Sequence, residues 1–196
     1  MADLAVLASG NGSNFQALVE ALRRDAPQKH RCVLLIHDRK AAFAAERARS
    51  LGVPSHYVPY LGRSREEAEL EIARLLDHAG AELVALAGFM RILTPNFASA
   101  RAGRIVNVHP SILPAWPGVD SIERAFASGA TRFGVTVHLV DAGMDTGPIL
   151  VQEAFEPPAG SSLAEIERRT HEIEHRLYPA AVIRLLDEID ARRSRA

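Results

Sequence analysis

Short apolar runs and helical apolar stripes alternate along most of this chain. Leu4 to Ala8 is a continuous apolar run, and Phe15, Leu18, Val19 and Leu22 follow it at helical spacing. Arg31 to Ile36 predicts a second strand, Ala41 to Leu51 a helix stopped by Gly52, and Ser55 to Val58 a short third strand. Ser64 with Glu67 fits a capping box, heading a helix that carries Leu70, Ile72, Leu75 and Leu76. Leu83 to Ala87 is another all-apolar strand. Thr94-Pro95 then marks a helix start, Ile105 to His109 a further strand, and Ser121 to Ser128 a short helix ended by Gly129. Apolar runs that do not alternate, separated by helices, predict a parallel sheet covered on both faces.

The pattern changes in the last third. Phe133 to Val140 alternates, with Val135, Val137 and Leu139 set against Thr136 and His138, and Ile149 to Phe155 is a second segment of that kind. Two such strands around a Gly-rich loop predict an antiparallel addition to the parallel sheet. Ser161-Ser162 opens a long helical pattern reaching Leu186, which Pro179 is expected to kink or divide. The fold expected is α/β: a single doubly wound, mostly parallel sheet flanked by helices. Residues 1–189 form one domain in this reading, and the charged stretch 190–196 is a frayed tail.

Composition narrows the function classes. The 196 residues, 47% hydrophobic and 24% charged, suit one core large enough to fold without staples. The net charge of −1 gives no broad field toward nucleic acid or membrane, so neither partner is expected. No apolar run is long enough to span a bilayer, and no basic region precedes an apolar run at the N-terminus, so neither a membrane span nor a signal peptide is expected. Cys32 is the only cysteine, and a reducing cytoplasm is the simplest compartment. The 8 histidines show no convincing zinc-ligand spacing, so no metal is expected.

Candidate chemistry sits at strand ends, where ligands of open α/β sheets bind. Asn107 and His109 are two residues apart in a predicted strand and so share a face, and Pro110, Pro114 and Pro117 stiffen the loop beyond them. An amide and an imidazole so placed suit polarising a carbonyl and moving a proton, or else they are strand-end groups bonded to nearby backbone. Ser9-Gly10-Asn11-Gly12-Ser13-Asn14 links a strand to a helix; its Ser and Asn are expected to cap the helix, and its free N–H groups favour an anion such as phosphate. It is neither GxGxxG nor a Walker loop, so a dinucleotide is not supported. Phe89, Ile92 and Leu93 after the fourth strand either line a flat ligand or pack in the core. His138 reads as a solvated strand residue without a role, and Asp141 and Asp145 as turn residues.

Set side by side, these segments resemble the folate-dependent phosphoribosylglycinamide formyltransferase family of purine synthesis. The resemblance rests on Ser9 to Asn14, Leu86 to Leu93, Asn107 to Pro114, Gly134 to His138, Asp141 to Pro148 and Glu174 to Pro179, in order over nearly the whole chain. It implies the formyltransferase fold and transfer of a formyl group from 10-formyltetrahydrofolate, a co-substrate, to the amine of glycinamide ribonucleotide. By position, Gly12, Ser13 and Asn14 would hold the substrate phosphate and Glu174 its ribose. Arg65, Met90, Arg91, Ile92, Leu93 and Asn107 would hold the folate, with Val140, Asp141, Ala142 and Gly143 closing over the pterin. Asn107, His109 and Asp145 would be the catalytic set, the carboxylate favouring the imidazolium of His109. Gly118 to Ile122 lacks a histidine that certain relatives carry, which leaves Asp120 without a clear role. The oligomeric state, monomer or homodimer, stays open.

The competing readings share the carbonyl-polarising residues. A formyltetrahydrofolate hydrolase would not need the phosphate turn, and a methionyl-tRNA formyltransferase would need a basic domain that this charge balance does not supply. A non-catalytic binding module would have no reason to carry Asn107, His109 and Asp145 together.

Overall fold

A computed structural model describes residues 1–195. Its sheet has seven strands in the order β3-β2-β1-β4-β5-β6-β7. The strands are β1 (Ala2–Ala8), β2 (His30–His37), β3 (Ser55–Tyr57), β4 (Leu83–Leu86), β5 (Ile105–His109), β6 (Phe133–Leu139) and β7 (Ile149–Phe155). The first five run parallel, β6 is antiparallel to β5 and β7 antiparallel to β6, the antiparallel addition that their alternation predicts.

The helices are α1 (Ser13–Asp25), α2 (Phe43–Ser50), α3 (Arg65–His78), α4 (Pro95–Ala100), α5 (Ser121–Ala127) and α6 (Leu163–Arg193). β1 shows why both faces of the sheet are covered. Leu4, Val6 and Ala8 point into a core shared with Phe15, Leu18 and Leu22 of α1, Ala44 and Ala48 of α2 and Val182 and Leu186 of α6. Ala5 and Leu7, on the opposite face, meet Ala68, Ile72 and Leu76 of α3 and Phe97 of α4. Both faces are dry, so the strand has no polar positions to alternate.

α6 bears on two expectations, that Pro179 kinks or divides the helix and that a frayed tail begins at residue 190. Pro179 neither divides it nor ends it: the helix is continuous from Leu163 to Arg193 with the proline inside. Its neighbour Tyr178 is fully buried, and its hydroxyl lies 2.9 Å from the Leu86 carbonyl and 3.0 Å from that of Val106, pinning the helix to β4 and β5. The helix also passes the boundary expected at residue 189. Asp190 accepts from the N-terminal ammonium of Met1 at 2.6 Å, and Arg193 pairs with Glu82 at 3.2 Å. Ala196 lies outside the described residues. No helix among the described residues is long and apolar enough to cross a membrane.

Strand order runs outward from β1 to β2 and β3, then restarts on the other side of β1 with β4 and β5. The loops after β1 and β4 therefore diverge, and a crevice opens at the carboxyl ends of these strands.

Candidate active site

The turn after β1 enters α1 through Gly12, whose φ is 75°. A Cβ there would lie 2.7 Å from the Ala44 side chain and 2.8 Å from its Cα, so the close approach of α2 and the left-handed backbone both require glycine. The expected serine or asparagine cap is not made; α1 has no side-chain cap, because the cap position is occupied by Gly12 itself. The first N–H groups of the helix are thus left for another partner. Arg47 of α2 braces the turn by donating to the Asn11 carbonyl at 2.9 Å and to Asn11 Oδ1 at 2.8 Å. A cleft of about 370 Å³ beside the turn is lined by Ser13, Gln16, Arg47 and His175.

Asn14 and Glu174 meet although 160 residues apart: Asn14 Nδ2 donates to Glu174 Oε2 at 3.0 Å. Glu174 is buried, and the same oxygen accepts from His171 Nδ1 at 2.9 Å. That hydrogen bond outweighs the desolvation of the imidazole and raises the His171 pKa above its ordinary value. Asn14 Oδ1 is buried without a protein partner, a polar atom available to a ligand.

The loop after β4 divides between core packing and exposed surface. Phe89 and Leu93 are buried in the core, whereas Met90 and Ile92 are exposed. Arg65, at the start of α3, reaches the Ile92 carbonyl at 3.5 Å. The side chain of Arg91 turns away from this surface. Its Nε donates to Asp38 Oδ2 at 2.6 Å, and its guanidinium lies 4.9 Å from the centre of the Tyr60 ring. A buried carboxylate and an aromatic face hold it there, so only its backbone remains with the loop.

At the end of β5 the three residues expected to act together converge with a fourth. His109 Nδ1 is 3.5 Å from Asp145 Oδ2, and His109 Nε2 is 2.9 Å from the Trp116 carbonyl. A carbonyl only accepts, so Nε2 carries a proton and Nδ1 faces the carboxylate. His138, opposite Asn107 in the β5–β6 register, is 2% exposed, which overturns its reading as a solvated residue. Its Nδ1 donates to the Leu139 carbonyl at 2.9 Å, and its Nε2 lies 3.2 Å from Asn107 Nδ2 and 3.6 Å from Asp145 Oδ1. With Nδ1 donating, Nε2 accepts one amide N–H of Asn107 and leaves the second free.

Asp145 is more than a turn residue. Burial works against its charge, but the neighbouring His138 imidazole, the Gly118 N–H at 2.7 Å and the field of His109 together lower its pKa to about 2. Among the described residues, the non-glycine ones with left-handed backbone are Trp116, Asp120 and Asp145, all in the loops around His109. Asp120 precedes α5 without capping it through its side chain. In the loop after β6, Asp141 Oδ1 accepts from Thr146 at 2.7 Å and from the Gly143 N–H at 2.9 Å, bonds that lower the Asp141 pKa. A Cβ on Gly143 would sit 2.0 Å from Thr146 Oγ1, and the Val140 N–H donates to the Ile105 carbonyl at 2.9 Å.

Residues 2–182 match the formyl transferase family model. The chain belongs to the formyl transferase family. Within it, the chain is 42% identical over 187 residues to phosphoribosylglycinamide formyltransferase of Bacillus subtilis, covering 95% of each chain. It is 38% identical to the Escherichia coli protein of the same name, covering 92% of this chain and 85% of that one. The crystal structure of glycinamide ribonucleotide transformylase 1 from Geobacillus kaustophilus superposes with a TM-score of 0.88 at 43% identity, over 95% of this chain and 99% of that one. The family's mixed sheet is therefore the one described above.

Of the positions singled out in the sequence, Asn14 meets Glu174, Arg65 meets the Ile92 carbonyl, and Asn107, His109 and Asp145 are linked through His138 and the His109–Asp145 pair, whereas the Arg91 side chain goes to Asp38. Sequence reasoning missed the groups that hold the site in shape. Thr136 Oγ1 donates to the Ser111 carbonyl at 2.7 Å and accepts from the Leu113 N–H at 3.1 Å, while Gln152 reaches Leu113 and Thr136 at 3.0 and 2.8 Å. Arg124 donates to the carbonyls of Val119 and Pro117. Their signal is faint: Thr136 and Gln152 are opposed in the β6–β7 register, a pairing that emerges only once the strands are aligned.

Proposed function

We propose that this protein transfers the formyl group of 10-formyltetrahydrofolate to the amine of 5-phosphoribosylglycinamide, yielding formylglycinamide ribonucleotide and tetrahydrofolate in purine biosynthesis. The observation that carries the reading is the meeting of Asn107, His109 and Asp145 at the carboxyl end of β5, on the same side of the sheet as two loops of opposite character, those after β1 and β4. One presents unpaired helix N–H groups at Gly12 to Asn14, suited to a phosphate, and the other an exposed apolar surface at Met90 and Ile92, suited to a flat ring. The names of the relatives at 38% and 42% identity support the same substrates.

In this reading Gly12, Ser13 and Asn14 hold the phosphate and Glu174 the ribose. Arg65, the backbone of Met90 to Leu93 and the loop Val140 to Gly143 hold the folate. Asn107 turns its remaining amide N–H on the formyl oxygen, which gains negative charge as the amine nitrogen bonds to the formyl carbon. His109, backed by the fixed charge of Asp145, stabilises that oxygen and assists the proton that leaves the amine and reaches N10 as the old C–N bond breaks. The attacking amine is itself a nucleophile, so no covalent enzyme intermediate is needed. The single domain, the near-neutral charge and the lone cysteine support a cytoplasmic enzyme acting on small molecules.

The test is the release of tetrahydrofolate, followed spectroscopically with and without glycinamide ribonucleotide. Release that depends on the ribonucleotide is expected. Equal release without it would make the protein a hydrolase, and folate binding without turnover would make it a binding module.

A further inference from the structure

Ser9 opens the turn that the proposed function gives to the phosphate, yet its own contacts go elsewhere. It is 1% exposed. Its N–H donates to the Gly88 carbonyl at 3.0 Å, and its Oγ accepts from the Met90 N–H at 2.8 Å. Both partners lie in the loop after β4. The last rung of the β1–β4 ladder is the Ala87 N–H on the Leu7 carbonyl at 2.9 Å. Past that rung Gly88 takes φ 68° and the strands part. Ser9 extends the pairing by one backbone bond and then supplies a hydroxyl where the next main-chain acceptor would have been.

The turn that carries Ser9 is itself fixed from behind. The Gly10 carbonyl accepts from the Ala44 N–H at 3.1 Å, and Arg47 holds Asn11. Gly88 to Met90 is thereby tied through one buried side chain to a segment anchored on α2. The exposed side chains of Met90 and Ile92 form a wall only if the backbone beneath them is ordered in advance, since a loose loop loses affinity to the entropy of ordering it.

We propose that Ser9 is a positioning residue for the folate loop and not a phosphate ligand. The inference rests on the assignment of Met90 to Leu93 to the folate. Replacing Ser9 by Ala removes the acceptor, leaves the small volume filled and strands a main-chain N–H. The folate KM of Ser9→Ala is expected to rise on the order of tenfold, with the ribonucleotide KM within about twofold of wild type. Ser13→Ala is expected to show the opposite split, and Ser9→Thr, which restores a hydroxyl, to recover much of the folate affinity. The Met90 amide should exchange with solvent faster in Ser9→Ala than in wild type.

Direct binding of a non-transferable 10-substituted tetrahydrofolate, followed by fluorescence, separates the two readings. Wild-type protein that binds no folate refutes the proposed function. Wild-type protein that binds while Ser9→Ala binds equally well refutes the role of Ser9. A Ser9→Ala variant that loses ribonucleotide affinity in preference to folate affinity refutes it too, because it would return Ser9 to the phosphate. If Ser9→Ala does not fold, the same comparison on Ser9→Cys, a weaker acceptor of similar size, decides, with a folate affinity equal to wild type overturning the proposal.

Discussion

Asn107 and His138 face each other across the antiparallel β5–β6 pair, the amide nitrogen 3.2 Å from the imidazole Nε2. The histidine's other nitrogen donates to its neighbour's carbonyl, which leaves Nε2 as the acceptor that orients the amide. Asn107 thus has one N–H committed and one available for the contact proposed with the formyl oxygen.

That pairing predicts a kinetic signature for His138→Ala. With its acceptor gone, the Asn107 amide is free to rotate away from the formyl oxygen. We expect kcat to fall by about 10- to 100-fold, somewhat less than the loss of a whole oxyanion donor, while both KM values change little. His138→Gln, whose side-chain carbonyl offers an acceptor, should recover part of the rate. Steady-state kinetics on purified variants check this. A loss of thermal stability with kcat intact would reduce His138 to a buried strand residue.

The depressed pKa of Asp145 gives a pH prediction whose sign is fixed. Its carboxyl titrates at an ordinary 3.8 in the unfolded chain and at about 2 in the folded protein. The folded state then favours the ionised form, so the stabilisation is present above about pH 4 and is lost as pH falls toward about 2. Asp145→Asn should flatten acid unfolding across that window, as followed by circular dichroism. It should also lower kcat throughout the neutral range, since the charge it removes is present at every pH where the enzyme works. A kcat in Asp145→Asn that matches wild type across the neutral range would overturn the role of its charge.

How much of this was legible in the sequence depends on how local each feature is. The sheet is readable because its strands are apolar runs and its helices carry their own stripes and caps, as Ser64 does with Glu67. Asn107 and His109 are readable because strand period alone puts them on one face. His138 is not, since alternation shows only that it faces away from Val137; the groups that cover that side, Asn107 and Asp145, arrive from other segments. The cap of α1 fails for the same reason: the demand for glycine at position 12 comes from Ala44 on the next helix. Arg91 finds its partner 53 residues back, in Asp38 just past the end of β2. Pro179 signals a break, but Tyr178 is bonded to two strands and the helix passes through.

Gly12→Ala is expected to damage stability and ribonucleotide binding together. The added Cβ would need to displace the Ala44 backbone, 2.8 Å away, and alanine would have to hold a φ of 75°. Such a change costs about 1–3 kcal/mol where strain and overpacking coincide. α2 must then move off the turn, carrying Arg47 with it, so the ribonucleotide KM should rise. The folate KM should respond less. Thermal melts and paired KM measurements give both quantities, and a variant with wild-type melting would show that the turn relaxes without cost.

The last prediction concerns Glu174, buried between Asn14 and His171. The hydrogen bond from His171 to Glu174 raises the imidazole's pKa, with Glu167 adding to it and the burial of the ring opposing it. His175 stacks on the ring with centroids 6.4 Å apart, and burial lowers its own pKa, so it does not compete for the proton. A raised folded-state pKa means that the contribution of the pair is fully present below 6.5 and is lost as pH rises through the raised value. A protonated His171 places a positive charge beside the carboxylate proposed to hold the ribose and close to a turn proposed to hold a phosphate. Raising the pH through that raised value should therefore raise the ribonucleotide KM while leaving the folate KM unchanged. His171→Gln keeps a donor but does not titrate, and should flatten this dependence. Glu174→Gln should lower the His171 titration midpoint, read by NMR from the imidazole proton, and weaken ribonucleotide binding at every pH. Were the midpoint in Glu174→Gln to match wild type, the contact between them would be a helix-surface pair with no part in holding the ribose.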